Sequence, residues 1–328
     1  MRQPFIIVNR AVVTATALLA ALVVGHAQPR QRLNPVIALL EQNQPVFGVY
    51  APANGGRRGD AVARSPQELA KDALAYQAAD YLFSGSMEGG VDRGLPVFTD
   101  FVKALGEAAG PGKAPFFGLK QHPLIIKTPK IAADPSKVVD NIGRQLNTGA
   151  SGIMFVEAES ADEVRQGLAA MRFKSKGGTR PDEAGMAPAY WGMSEQQYKQ
   201  KADLWPLNPD GELINWTIVE SKEGLAHVRE IAAVKGIGVL WPGAGTLRGV
   251  FSTTNAAGER VVDMVAHENA IQQVLAACKE FKVPCGYPAN AGDIETRMKQ
   301  GFSVFVMNWG DAGFKAVEAG RRVAGRSN

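Results

Sequence analysis

Residues 124–173, LIIKTPKIAADPSKVVDNIGRQLNTGASGIMFVEAESADEVRQGLAAMRF, hold one pattern twice. A short apolar or β-branched run (LIIKT, 124–128; GIMFV, 152–156) is followed by a stretch with helical spacing (134–149; 160–173). The runs are too short for helices and have no polar alternation, as expected of strands covered on both faces. A strand, a helix and a second strand of this kind make a right-handed parallel unit.

The pattern continues in both directions. Strand candidates are PVFGVY (45–50), DYLFS (80–84), INWTIVE (214–220), GIGVLW (236–241), VPCGY (283–287) and SVFVMN (303–308). Helical stretches lie between them, at 65–79, 221–234, 259–281, 290–301 and 311–325. Several open on Ser or Asp and close at Gly, as capped helices do. Eight strands alternating with helices predict an α/β fold, a single (β/α)8 barrel over roughly 34–325, whose working residues sit at the strand C-termini. An open doubly wound sheet is the alternative. It lacks a Gly-x-Gly-x-x-Gly turn after the first strand, and residues 110–114 do not have the spacing of a phosphate-binding loop.

Residues 173–212 interrupt the alternation before strand five. Forty residues exceed an ordinary connection, so the insertion is expected to be a lid, an oligomer contact or an active-site loop. Trp191, Tyr198 and Trp205 within it need burial, for which a partner subunit would serve.

The 328 residues carry a net charge of +4, 21% charged residues and two cysteines. This is no nucleic-acid footprint, and two cysteines build neither a disulfide scaffold nor a four-thiolate zinc site. Arg2 and Arg10 flank a segment without acids, residues 11–25 are uncharged and apolar, and Gly25-His26-Ala27 places small residues at −3 and −1 of a cut before Gln28. This predicts a cleaved signal peptide over 1–27, with a mature domain over 28–328 in the periplasm or outside the cell. Fifteen apolar residues fall short of the ~20 that span a bilayer, so no stable membrane span is expected after cleavage. In an oxidising compartment Cys278 and Cys285 could pair, or remain two buried thiols.

The predicted strand ends carry chemistry. Strand two runs into Ser86-Met87-Glu88-Gly89-Gly90, strand three ends in Ile126-Lys127-Thr128-Pro129, strand four runs into Glu157-Ala158-Glu159, strand five into Glu220-Ser221, and strand six into Trp241-Pro242-Gly243-Ala244-Gly245-Thr246. Singly each could be a solvated charge or a tight turn. Together they form a carboxylate-lined mouth with one lysine and one glycine-rich turn, suited to an acid or a hard cation.

These motifs, with PVFGVY, IIKTP, GASGIMFVEAESADEV and GFSVFVMNWGDAGF, resemble the HpcH/HpaI aldolase/citrate lyase family of pyruvate-binding barrels, from Asn34-Pro35-Val36 to the last helix. The resemblance implies a carbon–carbon lyase on a pyruvate-derived 2-oxo or hydroxy acid, a divalent metal (Mg, Mn or similar), a metal-stabilised enolate, and a homo-oligomer, commonly a hexamer. It assigns Glu220 to the metal and retains Glu88. It also shows departures: the family His position is Gly89, its Arg position Lys127, its metal Asp position Gly245, and a Gln position Ile218. Glu88 and Lys127 are the expected catalytic groups, and Lys127, Gly243, Ala244 and Gly245 the expected substrate contacts. Glu88, Glu157 or Glu159 could supply a missing metal carboxylate. Two other readings remain: an exported barrel that binds keto acids without chemistry, and an enzyme using Lys127 as a Schiff-base amine.

Overall fold

The computed structural model describes residues 31–54, 63–108 and 118–326. The leader expected over 1–27 lies outside them. From Arg32 onward the chain clusters as one unit.

The order begins α1 (Pro35–Glu41), β1 (Val46–Tyr50), α2 (Pro66–Ala75), β2 (Tyr81–Ser84), α3 (Val91–Ala108), α4 (Gly118–Gln121), β3 (Leu124–Thr128), α5 (Val138–Leu146), β4 (Gly152–Phe155) and α6 (Ala161–Met171). The insertion supplies α7 (Ala187–Trp191), α8 (Glu195–Lys201) and the two-residue β5 (Leu204–Trp205). Then follow β6 (Leu213–Val219), α9 (Lys222–Ala226), α10 (Val228–Ala232), β7 (Val239–Pro242), α11 (Ala244–Val250), β8 (Ser252–Thr254) and β9 (Arg260–Val262). The chain ends with α12 (Met264–Phe281), β10 (Gly286–Pro288), α13 (Ile294–Gln300), β11 (Val304–Met307) and α14 (Asp311–Val323).

All eight predicted strands form. They pair in parallel in the order β7-β6-β4-β3-β2-β1-β11-β10. The sheet curls, consistent with a TIM-type barrel, and its two edges meet. Leu240 on β7 bridges Cys285 just before β10, and the Leu240 N–H donates to Pro284 O at 2.9 Å.

Two apolar layers follow from the pleat. Side chains facing outward pack under the helices, while Tyr81, Phe83, Met154, Trp216, Trp241 and Val306 belong to the cluster inside the curl. Trp216 stacks on Trp241 at 5.3 Å and on Phe83 at 6.0 Å. Helix α1 contributes Val36, Ile37 and Leu40 to the same cluster. Its cap Asn34 is fixed by Glu212, just before β6, whose Oε2 accepts the Asn34 N–H at 3.0 Å.

The expected caps appear. Ser160 and Ser221 accept from the third residue of α6 and α9, and Gly301 closes α13 in the left-handed region. One boundary moves: the stretch 259–281 begins as β9, in an antiparallel hairpin with β8, before α12 starts behind the Asp263 cap.

The insertion does not cover the mouth. The Trp191 indole donates to Gly149 O at 2.9 Å and the Tyr190 hydroxyl to His122 O at 2.8 Å. The acceptors lie two or three residues ahead of β3 and β4, so α7 packs at the N-terminal end of the sheet. This corrects the lid and active-site-loop expectations. Trp191 and Tyr198 are buried within their own chain, edge to face at 4.8 Å, so no partner subunit is needed to cover them. Half-buried Trp205 donates to Glu41 Oε1 at 3.1 Å. Cys278 and Cys285 form a disulfide that ties the end of α12 to the segment entering β10.

Candidate functional site

Each of the eight parallel strands sends one residue into a cavity of about 170 Å³ at the strand C-termini. Strands β1 to β4 supply Tyr50, Phe83, Lys127 and Met154. The other four, β6, β7, β10 and β11, supply Ile218, Trp241, Pro288 and Val306. Lys127 is the only charge among these eight. Glu220 and the turn from Gly243 to Thr246 complete the wall.

Lys127, one residue before the end of β3, has its side chain 14% exposed, and its ammonium donates to both oxygens of Glu88, at 3.0 and 2.9 Å. Glu88 stands on the turn after β2, where its N–H donates to Gly85 O. An ammonium has three donors. Glu88 takes two, and the third is available to a ligand.

Glu220 follows β6 and is 5% exposed, not a solvated residue beside a helix cap. Burial pushes its carboxyl above the usual range, against the lowering effects of the Thr246 hydroxyl, Lys127 and the Glu157 N–H. That N–H donates to Glu220 Oε1 at 3.1 Å from a backbone in the left-handed region, φ 48°. The arrangement requires glycine at 243: a Cβ there would stand 2.3 Å from Glu220 Cβ. No side chain caps α11, so the Ala244 and Gly245 N–H groups open its first turn beside Glu220.

Thus Lys127, Glu220, Gly243, Ala244 and Gly245 line one cavity, and Glu88 reaches it through Lys127. Glu157 and Glu159 turn elsewhere. Lys130 holds them at 3.0 and 2.7 Å, and Ser221 donates to Glu159 at 2.7 Å. Neither supplies the carboxylate that a metal at Glu220 would need. Among the described residues no three His, Cys, Asp or Glu side chains converge as metal ligands. With Glu88 bound to Lys127 and nothing but hydrogen at Gly245, the donor set does not fit a divalent cation.

Gly89 leaves a space that another group fills. A Cβ there would lie 2.6 Å from a terminal nitrogen of Arg93, whose guanidinium occupies the place of a side chain at 89. Sequence reading missed Tyr50, Thr246, Lys130 and Arg93. Tyr50 and Thr246 did carry a signal, since they close the quoted PVFGVY and WPGAGT stretches.

No family model matches the chain. In sequence it is similar to the hydroxypyruvate/pyruvate aldolase of Paraburkholderia phytofirmans, 24% identical over 217 residues, which are 65% of this chain and 69% of that protein. Among solved structures it is similar to an HpcH/HpaI aldolase/citrate lyase family protein from Burkholderia cenocepacia, with a TM-score of 0.61 and 20% identity over 84% of this chain and 92% of that one. An HpcH/HpaI aldolase from Desulfitobacterium hafniense gives 0.60 and 14%, over 83% and 89%. Strand order, the place of the cavity and these likenesses agree: the chain has the HpcH/HpaI aldolase/citrate lyase family fold and is a distant homologue of that family.

Proposed function

We propose that the cavity binds a pyruvate-type 2-oxo acid and that the protein is an aldolase-like carbon–carbon lyase. One observation carries this reading: Lys127 and Glu220 meet in a single cavity at the strand C-termini of an aldolase-family fold. The distant aldolase relative supports the same reaction class.

In this reading the third Lys127 N–H binds the C2 oxygen of the acid, and the Ala244 and Gly245 N–H groups bind its carboxylate. Glu88 accepts the proton of the C4 hydroxyl as the C3–C4 bond breaks. The bonding pair moves onto C3 and the C2 oxygen as an enolate, which the Lys127 ammonium stabilises, and an aldehyde leaves. The proton that Glu88 has taken up then returns to C3 and gives pyruvate, with Glu220 lining the cavity beside the reacting carbons. A positioned acid–base pair contributes ~10²–10⁴ in rate. No step passes through a metal, because the donor set does not fit one.

Any such lyase must form an enolate from pyruvate in the reverse direction. Proton NMR in D2O therefore tests the proposal: the pyruvate methyl signal should decay faster with enzyme than with buffer. Binding without exchange would leave an acid-binding barrel without chemistry. Borohydride-trapped mass on Lys127 would replace the enolate with a Schiff base.

We also propose that the curled sheet is a full (β/α)8 barrel, that the chain self-associates, and that residues 1–27 are an export signal. An exported protein beginning near Gln28 would support the last.

A further inference from the structure

The cavity holds few charges in a mostly apolar wall. Lys127, Glu220, Thr246 and Tyr50 are its polar lining, and Glu88 reaches it through Lys127. The rest of what the strands present to it is apolar, with Phe83, Met154, Ile218, Trp241 and Val306 each less than 5% exposed. Trp216 stacks on both Trp241 and Phe83, so the apolar lining is backed by aromatic rings.

Charge balance limits what can enter. Glu88 already neutralises Lys127, and Glu220 is a second carboxyl in the same space. A ligand with one carboxylate meets the remaining Lys127 donor and the α11 turn. A second carboxylate or a phosphate would be pressed against apolar side chains with no cation facing it among the lining residues, at a desolvation cost that nothing there offsets.

From one already paired cation in an otherwise apolar lining we infer that the preferred substrate class is 2-oxo acids with one carboxylate and an apolar, branched or aromatic substituent lying over Trp241, Ile218 and Val306. The inference rests on the reading of the cavity as a 2-oxo acid site, and it adds the substituent. Each methylene moved out of water onto this lining strengthens binding.

Calorimetric titration of the full chain with five probes tests it: pyruvate, 4-methyl-2-oxopentanoate, phenylpyruvate, 2-oxoglutarate, and 4-methylpentanoate, which lacks the oxo group. The expected result is that 4-methyl-2-oxopentanoate binds about thirtyfold tighter than pyruvate. Phenylpyruvate should also exceed pyruvate, and 2-oxoglutarate should bind more weakly than pyruvate. Val306→Thr, nearly isosteric, should reduce the ratio of 4-methyl-2-oxopentanoate to pyruvate affinity several-fold.

Equal affinities across the 2-oxo acids, or a preference for 2-oxoglutarate, would overturn the inference and leave the 2-oxo acid reading standing. Equal binding of 4-methylpentanoate and its 2-oxo analogue would overturn that reading and keep the apolar acid class. Absence of binding by all five would overturn both.

Discussion

The Lys127 ammonium is bound by both carboxylate oxygens of Glu88, residues 39 apart in sequence, one at the penultimate position of β3 and the other on the turn after β2. The pair fixes a cation at the mouth and leaves it one donor for a ligand. Removing each partner should therefore separate binding from turnover. Glu88→Gln removes a competing charge, so affinity for a 2-oxo monoanion should rise a few-fold, while methyl exchange from pyruvate should fall ~10²-fold or more. Lys127→Met should lower both. Calorimetry and the exchange assay read the two effects independently. A Glu88→Gln variant that exchanges protons at the wild-type rate would remove Glu88 from the proposed chemistry.

Gly245 is where the cavity could be given the carboxylate it lacks. A Cβ at this position meets nothing within 4 Å. Gly245→Asp should fold with a stability change within about 0.5 kcal/mol. It should also tighten Mn²⁺ binding about tenfold or more, because hard cations gain from each added carboxylate oxygen. Calorimetric titration with MnCl2 checks this, and an unchanged Mn²⁺ affinity would show that Glu220 and residue 245 do not converge.

The eight strands and their order around the sheet were legible because parallel strands buried on both faces read as continuous apolar runs. Register then brought Glu88, Lys127 and Glu220 together, since residues that end neighbouring parallel strands must share one end of the sheet. Their partners were not legible. That Lys130 takes Glu157 and Glu159, or that Arg93 fills the space over Gly89, depends on rotamers set by packing. Strand β9 was read as helix because Glu259 to Val262 continue the apolar spacing of α12. The Asn255–Gly258 turn and the Asp263 cap decide otherwise. The direction of the insertion was equally hidden, because its large aromatics signal burial without naming the surface that buries them.

Gly48 should be the least replaceable residue of β1. A Cβ there would lie 2.2 to 2.3 Å from the Tyr81 ring, and that ring is held across the interior by its hydroxyl bond to Phe305 O at 2.7 Å. Gly48→Ala must displace a fully buried tyrosine, at a cost of about 3 kcal/mol. Gly106→Ala, in exposed α3 backbone where a Cβ meets nothing, should instead stabilise by up to about 1 kcal/mol. Urea denaturation of the two variants should move the midpoint in opposite directions, and a Gly48→Ala midpoint at the wild-type value would contradict the packing described.

Acid should weaken the fold through His122. The imidazole is 5% exposed, just before β3, and burial lowers its pKa from 6.5 to about 4. Between these values the unfolded chain binds a proton that the folded chain does not, so stability must fall as the pH drops through that window. The contribution is fully present above pH 6.5 and lost as the pH approaches 4, up to about 3 kcal/mol. His122→Gln removes the titration, so its melting temperature should fall less than that of the wild type between pH 7 and pH 4.5. The backbone carbonyl that accepts from Tyr190 is unaffected by the exchange. Calorimetric melting across this range checks the prediction, and parallel profiles for the two proteins would mean that His122 protonates in the fold at an ordinary pH.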